Sequence, residues 1–330
     1  MITKKAYAKV NLSLDITGRR DDGYHLVRMV MQSIDIADVL TFEKCDGAKI
    51  ETLLVDKRDT DSDELGTLPM GPDNLIYRAA EIFLKENVRP CYPDAGVKIT
   101  LEKNIPIAAG MAGGSSDAAA TLKGINELYE TGLMDQDLMK LGVTLGADIP
   151  YCIMGGTALS EGIGEKLTKL PNLPACKILV AKPKISVSTA EAYGGYDELA
   201  ESFEKEETIT GARVLKQFIN SETGKRYYMA DGQLYEKPDV DAQVDAVYSG
   251  SLENVASCMA NVLEYVTASK HPEIGELEKM MIDGGAIGAM MSGSGPTVYG
   301  LFKDLEAAEY VAAAIEESDL TEQLFITTTV

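Results

Sequence analysis

The sequence predicts a mixed fold of the α/β or α+β class, built from two domains. Segments with the two-residue period of strands alternate along the chain with segments that have the period of helices. A chain of 330 residues with 45% hydrophobic content can bury a large core and exceeds the usual size of one domain. No internal repeat is visible that would instead indicate a solenoid or a propeller.

The first predicted strand covers 6–16, where apolar and polar side chains alternate strictly. Val10 and Leu12 share one face and Lys9 and Asn11 the other, which is typical of a strand buried on one side only. The next segments predict a charged turn at 18–23, an apolar run at 26–42, a surface loop or irregular hairpin at 51–73, a helix at 74–87 and a short strand at 97–101.

Strand and helix patterns also alternate in the rest of the chain. The residues at 200–238 are polar and charged and resemble an insertion, within which Asp231 and Gly232 indicate the turn of a hairpin. The remaining segments predict a helix at 135–145, strands at 155–167 and 178–182, helices at 251–268 and 272–283, a glycine-rich loop and strand at 284–302, and a helix at 305–316.

The composition narrows the classes of partner. A formal net charge of −21 gives an acidic surface that repels nucleic acid and anionic membranes, so we expect neither as a partner. No apolar run reaches the ~20 residues of a membrane span, and the N-terminus has no signal-peptide core. The five cysteines are scattered, which favours a reduced, cytoplasmic protein. Two histidines without a cysteine cluster argue against a zinc site.

The stretch PIAAGMAGGSSDAAA at 106–120 predicts an anion site. Gly110, Gly113 and Gly114 allow sharp turns and close approach of the backbone to a ligand. Ser115 and Ser116 then favour a helix start, where unpaired N–H groups and the positive end of the helix dipole attract phosphate. A serine-capped turn without a ligand is the structural alternative. The chain has no P-loop, no Rossmann G-x-G-x-x-G and no protein-kinase motifs, so this is a different phosphate loop.

Three further segments accompany the glycine loop. They read AKVN at 8–11, GRRDDGYH at 18–25 and MSGSGPTV at 291–298. In this order and spacing, the four segments resemble the GHMP kinase superfamily of small-molecule kinases. The second segment, with GADIP at 146–150 and GGTA at 155–158, is similar to a branch that acts on a cytidine-diphosphate-linked alcohol.

The resemblance implies the two-domain α+β fold of GHMP kinases. Residues 1–170 would form a domain related to the second domain of ribosomal protein S5, and residues 171–330 a ferredoxin-like domain with an insertion at 203–238. The resemblance fails at this insertion and near 51–72, where the chain looks longer than other members. The implied reaction uses ATP and Mg²⁺ to phosphorylate the 2-hydroxyl in the methylerythritol part of a cytidine-diphosphate ligand, a step of the non-mevalonate isoprenoid pathway.

Two catalytic residues match the family pattern. Asp148 would be the base that takes the proton from the substrate hydroxyl, as phosphoryl transfer requires. The alternative is an ordinary aspartate that ends a helix or lies in a turn before Ile149 and Pro150. Lys9 would partner Asp148, keep it ionised and offset charge on the transferred phosphoryl group. The alternative for Lys9 is a solvated side chain.

The substrate pocket follows from the same resemblance. Tyr24 and Tyr193 would stack on the cytosine, and His25 would read its edge. A loop histidine and a core aromatic on a helix are the alternatives for His25 and Tyr193. The substrate contacts implied by the family are Asn11, Tyr24, His25, Asp148, Thr189 and Tyr193.

The nucleotide site would lie around the glycine loop. Ser115 and Ser116 would cap the helix and bind phosphate or the metal shell. Asn74 and Lys103 would lie near adenosine, with a helix cap and a solvated loop lysine as alternatives. The implied ATP contacts are Asn74, Lys103, Pro106, Ile107, Ala108, Ala109, Gly110, Met111, Ala112, Gly113, Gly114, Ser115 and Ser116.

Several points remain open from the residues alone. The loop has Ala108 and Ala109 where the family often has glycine, and the loop at 292–296 either supports the active site or only precedes a strand. The metal ligands, the oligomeric state and the purpose of the insertions are not indicated. Another GHMP kinase with a different alcohol substrate and a non-catalytic nucleotide-binding relative are the alternative functions. Tyr24 and His25 argue against the first, and Lys9 with Asp148 against the second.

Overall fold

A seven-stranded sheet, drawn mainly from the first 170 residues, and a four-stranded antiparallel sheet from the second half frame the protein. The computed structural model describes residues 1–58, 68–207 and 213–330. The large sheet contains β1 (Ile2–Arg19), β2 (His25–Cys45), β3 (Ile50–Asp56), β4 (Gly96–Lys103), β5 (Thr157–Gly162), β6 (Lys166–Lys169) and β13 (Ala260–Asn261). The small sheet contains β7 (Lys177–Pro183), β14 (Gly288–Met291), β15 (Val298–Phe302) and β16 (Thr321–Thr327).

Helices and two minor sheets complete the described part of the chain, which confirms the α+β class. The helices are α1 (Leu75–Phe83), continued by a π-helical turn (Leu84–Val88), α2 (Gly113–Leu128), α3 (Asp135–Val143), α4 (Ile149–Met154), α5 (Thr189–Ser202), α6 (Val240–Ser249), α7 (Leu252–Ser257), α8 (Glu264–Lys270), α9 (Pro272–Asp283) and α10 (Leu305–Glu317). The minor sheets pair β8 (Lys205–Glu207) with β9 (Arg213–Leu215), and β10 (Phe218–Ile219) with β11 (Arg226–Ala230) and β12 (Gln233–Lys237).

The long strands β1 and β2 lie at the centre of the large sheet. The large sheet runs β13-β1-β2-β4-β3, with β5 also paired to β2 and β6 to β5, and the small sheet runs β14-β15-β7-β16. The helix α2 lies close against the large sheet, because a side chain at Gly124 would overlap the ring of Phe42 in β2. Within the described residues, none of the helices combines the length and the apolar character of a membrane span.

The strand β1 is buried on both faces, so the prediction of a half-buried strand is wrong. Asn11 is fully buried, and Lys9 and Asp15 on the same polar face are nearly so. The reason is tertiary: the loop at 106–112 packs on this strand, where the ammonium of Lys9 donates to the carbonyl of Gly110 at 2.9 Å and its backbone N–H donates to the carbonyl of Met111 at 3.2 Å. Polar side chains are therefore held inside the protein, where they must be paired.

The segment at 51–73 contains a strand that sequence patterns did not predict. β3 is an edge strand that runs parallel to β4, a partner from later in the chain. The prediction of a loop or hairpin is therefore wrong over 51–56, where Leu54 joins Ile50 in packing against the core. Residues 59–67 lie outside the described residues.

The predicted helix at 251–268 is wrong as a single element. The chain forms α7, then the short strand β13, then α8, because Asn261 pairs beside Leu14 at the free edge of β1. The hairpin at Asp231 and Gly232 is confirmed, and both of these residues have the positive φ that a tight hairpin turn needs.

The strand predicted at 155–167 is divided into β5 and β6, which pair across a turn at 163–165. The helices α4 and α6 and the strand β16 were not predicted, and the helix α5 was considered only in the alternative for Tyr193. The confirmed predictions are the helices at 74–87, 135–145, 272–283 and 305–316 and the strands at 97–101 and 178–182.

Candidate active site

One cavity of about 1120 Å³ is lined by residues from both halves of the chain. Its walls come from β1, the turn before β2, the loop before α2, the residue that precedes α4, and the start of α5. Of the predicted site residues, Ser116 alone does not line it. Those that do are Lys9, Asn11, Tyr24, His25, Asn74, Lys103, Pro106, Ile107, Ala108, Ala109, Gly110, Met111, Ala112, Gly113, Gly114, Ser115, Asp148, Thr189 and Tyr193.

The loop before α2 is tightly turned. Ala108, Gly110 and Ala112 have φ values of 49°, 69° and 57°, in the left-handed region. This conformation costs alanine on the order of 1 kcal/mol, so surrounding contacts must hold it. One such contact is with the second glycine loop, because a side chain at Gly110 would overlap the carbonyl oxygen of Ser292.

The first turn of α2 presents backbone donors to the cavity. The N–H of Ser116 is the first with a helical partner, the carbonyl of Ala112 at 2.9 Å. The N–H groups of Gly113, Gly114 and Ser115 precede it and have no backbone acceptor in the described part of the chain. Three aligned donors at the positive end of a helix form a cradle for an anion such as phosphate.

The two serines do not cap α2, so this part of the prediction is wrong. The helix already begins at Gly113, its N-cap position is Ala112, and no side chain caps it. Ser115 lines the cavity from within the first turn. The hydroxyl of Ser116 instead donates to the carbonyl of Tyr7 at 2.7 Å, which ties α2 to β1.

Asn74 and Lys103, at the nucleotide end of the predicted site, both have protein partners. Asn74 caps α1, because its side-chain oxygen accepts from the N–H of Ile76 at 2.8 Å. Lys103 is buried, so the solvated-lysine alternative is wrong; its ammonium donates to Asp38 and to Asp117. Burial lowers the pKa of Lys103, but the charges of Asp117 and Asp38 outweigh it and raise that pKa.

Lys9 is buried beside the glycine loop, which rules out its reading as a solvated lysine. Its ammonium donates to the side-chain oxygen of Asn11 at 2.7 Å and to the carbonyl of Gly110 at 2.9 Å. Burial lowers the pKa of Lys9, and the negative charge of Asp148 opposes that effect. The two side chains line the same cavity and interact through their charges, without a direct ion pair between them.

Asp148 lies in a turn, as one of the sequence alternatives predicted. It occupies the N-cap position of α4, whose first turn contains Pro150. Its side chain makes no capping hydrogen bond, so a purely structural capping role does not explain it. The carboxylate lines the cavity, where an oxygen of this kind can accept a proton.

The glycine loop at 292–296 packs beside Lys9. The side-chain amide of Asn261 donates to the carbonyl of Gly293 at 2.8 Å and anchors this loop. A side chain at Gly293 would come within 2.9 Å of the carbonyl oxygen of Gly110 and 3.2 Å of the ammonium of Lys9. The loop is therefore part of the site wall, beyond its role as a turn before β15.

Aromatic and charged side chains gather at the opposite end of the cavity. Tyr24 is 58% exposed at the rim, and the rings of His25 and Tyr193 lie 4.8 Å apart. Asp197 also lines the cavity and accepts from His25, yet sequence analysis did not identify it. The available signal was its position one turn after Tyr193, but a helix at that segment was considered only in the alternative for Tyr193. Thr189 completes this wall.

A protein-only metal site is not evident in the described ranges. No group of three or more histidine, cysteine, aspartate or glutamate side chains there is arranged to hold a metal ion. One buried oxygen near the cradle, Asp117 Oδ1, has no hydrogen-bond partner among the described residues. Its other oxygen, Oδ2, accepts from the ammonium of Lys103 at 3.0 Å, and that positive charge favours the ionised carboxylate.

Comparison with known proteins identifies the family. The model of the GHMP kinases N terminal domain matches residues 74–156, and the model of the GHMP kinases C terminal domain matches residues 243–319. The chain is 29% identical to a 4-(cytidine 5'-diphospho)-2C-methyl-D-erythritol kinase of known crystal structure, with a TM-score of 0.69 over 99% of both chains. Mevalonate kinase of L. major, at 14% identity and a TM-score of 0.68, shares the fold.

Curated relatives are closer in sequence. The chain is 42% identical over 328 residues to the 4-diphosphocytidyl-2-C-methyl-D-erythritol kinase of Lachnospira eligens, covering 99% of this chain and 98% of that protein. It is 41% identical over 330 residues to the enzyme of that name from Pelotomaculum thermopropionicum, covering 100% and 98%. Both alignments therefore span the two segments where the sequence looked longer than other members. The chain belongs to the 4-diphosphocytidyl-2-C-methyl-D-erythritol kinase family of GHMP kinases, ATP-dependent enzymes that phosphorylate an alcohol.

Proposed function

We propose that this chain transfers the γ-phosphoryl group of ATP to the 2-hydroxyl of 4-diphosphocytidyl-2-C-methyl-D-erythritol, in the presence of Mg²⁺. The relatives at about 40% identity carry the name of that kinase. The observation that carries the proposal is one continuous cavity. It joins the donor cradle of α2, the pair Lys9 and Asp148, and the group Tyr24, His25 and Tyr193.

The donor cradle fits the phosphates of ATP. The backbone N–H groups of Gly113, Gly114 and Ser115 point their partial positive charge at one place, and small residues leave room for close approach. Asn74 and Lys103 line the cavity beside this cradle and would flank the nucleotide. Their protein partners fix both side chains in place, which reduces the entropy that binding must overcome.

The donor set near the cradle also fits Mg²⁺. This ion prefers one or two protein oxygens together with substrate phosphates, so the lack of a protein-only cluster in the described part is expected for it. The unpaired oxygen of Asp117 and the hydroxyl of Ser115 are the groups that would hold it. When bound, Mg²⁺ neutralises charge on the phosphates.

Lys9 and Asp148 carry the chemistry of this chain. The side chain of Asp148 makes no capping hydrogen bond, and its carboxylate accepts the proton of the attacking hydroxyl. Lys9, held by Asn11 and Gly110, supplies a fixed positive charge near the carboxylate and the transferred group. Because the hydroxyl attacks the phosphoryl group directly and in line, no phosphorylated enzyme forms.

The far end of the cavity would bind the cytidine. Tyr24 and Tyr193 offer ring faces for the base, and His25 offers a polar edge. Asn11 and Thr189 would contact the polar alcohol and diphosphate between the two ends. We place the reaction in the cytoplasm, because the five cysteines are unpaired, which suits a reducing compartment.

A substrate panel tests the proposal. Turnover of ATP would be measured with the cytidine-diphosphate alcohol, mevalonate, homoserine and galactose, and we expect the cytidine compound to have the highest kcat/KM. The Asp148→Asn protein, prepared identically, controls for contaminating kinases. Faster turnover of another panel member would refute the substrate assignment. ATP binding without turnover of any member would favour the non-catalytic alternative.

A further inference from the structure

His25 is held by two residues of α5. Its Nε2 atom lies 2.7 Å from Oδ1 of Asp197, and its ring packs against the ring of Tyr193. Tyr193 and Asp197 are four residues apart, which puts them on the same face of the helix. The helix α5 therefore fixes the plane of the imidazole through Tyr193, and it selects Nε2 as the ring nitrogen that is hydrogen-bonded to a carboxylate.

The second oxygen of Asp197 is also engaged. The guanidinium of Arg19 donates to its Oδ2 atom at 2.9 Å, and the same guanidinium donates to the carbonyl of Gly23 at 3.1 Å. This chain of contacts links α5 to the turn that carries Tyr24. Because Arg19 occupies one oxygen, the other oxygen of Asp197 is directed at His25.

We propose that Asp197 is a specificity-determining residue, which sets the tautomer of His25 so that the pocket accepts cytosine and rejects uracil. This inference rests on the function proposed above. A carboxylate can only accept, so it places the imidazole proton on Nε2 and leaves Nδ1 of the neutral ring as an acceptor. His25 lines the cavity, and Nδ1 has no hydrogen-bond partner among the described residues.

The tautomer decides which base can bind. Cytosine presents a 4-amino donor where uracil presents a 4-oxo acceptor. An acceptor at Nδ1 pairs with the amino group, whereas uracil would set two acceptors against each other inside a pocket. A mismatch of this kind costs about tenfold to a hundredfold in affinity. The asymmetry would give the kinase a preference for the cytidine compound that stacking alone does not provide.

The substitution Asp197→Asn reverses the hydrogen bond without changing the shape. In the variant, the guanidinium of Arg19 donates to the amide oxygen, so the amide NH₂ group faces Nε2 of His25. This nitrogen must then accept a hydrogen bond. The proton moves to Nδ1, which becomes a donor. Asp197 is 32% exposed, so the variant is expected to fold. Glu198→Gln is the matched control, because it removes the same charge from an exposed position next along α5.

The first experiment compares the cytidine-diphosphate alcohol with its uridine analogue at saturating ATP. We expect the ratio of their kcat/KM values to fall by at least tenfold in Asp197→Asn, through KM for the cytidine compound, with kcat within about twofold. Glu198→Gln should keep the wild-type ratio. An unchanged ratio in Asp197→Asn would overturn the proposal, whether both kcat/KM values stay at the wild-type level or both fall by the same factor.

The second experiment reads the tautomer directly. The chain has only two histidines, so long-range ¹H–¹⁵N spectra at about pH 8.5, where an ordinary imidazole is neutral, contain two ring systems. His271→Gln assigns them. We expect the Nε2–H form of His25 in the wild type and the Nδ1–H form in Asp197→Asn. The same tautomer in both proteins would refute the inference. This measurement does not depend on turnover, so it separates failure of the inference from failure of the proposed function.

Discussion

Asp148 is a carboxylate that its own helix does not use. The residue stands at the N-cap position of α4, where an aspartate usually accepts from a backbone N–H, yet no such bond forms. Its side chain lines the cavity that also contains Lys9. Removal of the charge should therefore affect chemistry far more than folding.

We expect Asp148→Asn to fold, to bind both ligands and to lose about 10²–10⁴-fold in kcat, because a general base typically contributes that much. Lys9→Met should also be impaired, and the double variant should be little worse than the worse single one, since the two act as a unit. Steady-state kinetics with both substrates measure this. Asp137→Asn, at an exposed aspartate of α3, is the matched control. Near-normal kcat in Asp148→Asn would remove this residue from the mechanism.

The N-terminus of α2 contains two neighbouring glycines with different surroundings. A Cβ atom at Gly113 would lie 3.1 Å from the ammonium of Lys103 and from a methyl group of Ile105. A Cβ atom at Gly114 would first meet Leu75, at an ordinary 3.7 Å. A side chain at Gly113 would therefore be crowded by protein neighbours that must shift, whereas one at Gly114 has room on the protein side.

We predict that Gly114→Val raises KM for ATP by at least tenfold, because its branched side chain fills the space that the phosphates need. KM for the cytidine ligand should stay within about threefold, and the melting temperature should not change. Gly113→Val should weaken ATP and also lower the melting temperature. Kinetics and thermal denaturation of the pair separate the two effects. A large loss of stability in Gly114→Val would contradict the assignment of that space to a ligand.

The polar segment at 203–238, which the sequence predicted to be an insertion, packs against the end of α5. Phe203 at the end of that helix packs against Tyr228 and Tyr235 of the insertion, with ring centroids 5.0 and 5.6 Å apart. Leu199 and Ala200 of α5 complete the same apolar cluster. The insertion therefore supports the helix that carries Tyr193 and Asp197 into the cavity.

We predict that Phe203→Leu raises KM for the cytidine ligand severalfold while KM for ATP stays within twofold, since a loosened α5 disturbs only one end of the cavity. Initial-rate measurements with each substrate varied in turn test this. Phe218→Leu makes the same change in β10, outside this cluster, and should leave both constants unaltered. Equal effects of the two variants would mean that the insertion acts only through general stability.

At the scale of the whole molecule, two neighbouring, partly buried carboxyl groups make stability depend on pH. Glu264 accepts from the backbone N–H of Met291 at 2.8 Å, and Glu278 of α9 is hydrogen-bonded to Glu264. Burial, together with the charge of Glu264, raises the pKa of Glu278 to about 9. The folded protein therefore holds a proton that the unfolded chain releases near pH 4.5.

The sign of the effect follows from that proton. Between about pH 4.5 and 9 the folded state binds more protons, so stability falls as pH rises through this window. One pKa unit corresponds to about 1.4 kcal/mol, so we expect Glu278→Gln to be stabilised relative to the wild type by about 1–3 kcal/mol at pH 9, and much less at pH 5. Thermal denaturation across this range measures the difference. Glu276→Gln on the exposed side of α9 should show no such trend, and a pH-independent effect of Glu278→Gln would contradict this account.

Local patterns determined much of the fold, and short motifs indicated most of the residues that line the cavity. Helices such as α9 and α10 follow from their apolar period, and the glycine-rich segment before α2 follows from residues that few other conformations suit. The resemblance carried by short motifs placed nineteen of twenty predicted site residues on one cavity; Ser116 was the exception. Motifs record chemistry that depends on residue type and spacing, and both of these are visible in a sequence.

Only the tertiary structure decided what lies beside those residues. Burial of the polar face of β1, the strand β3 and the break at Asn261 all depend on partners distant in the chain, which no local period encodes. Lys103 was predicted near adenosine, with a solvated lysine as the alternative, and only the fold shows that it is buried between Asp38 and Asp117. Asp197 became a candidate only when α5 brought it to His25, 172 residues away. The sequence identifies the side chains that can react. Long-range packing determines their burial and their partners, and hence their charge.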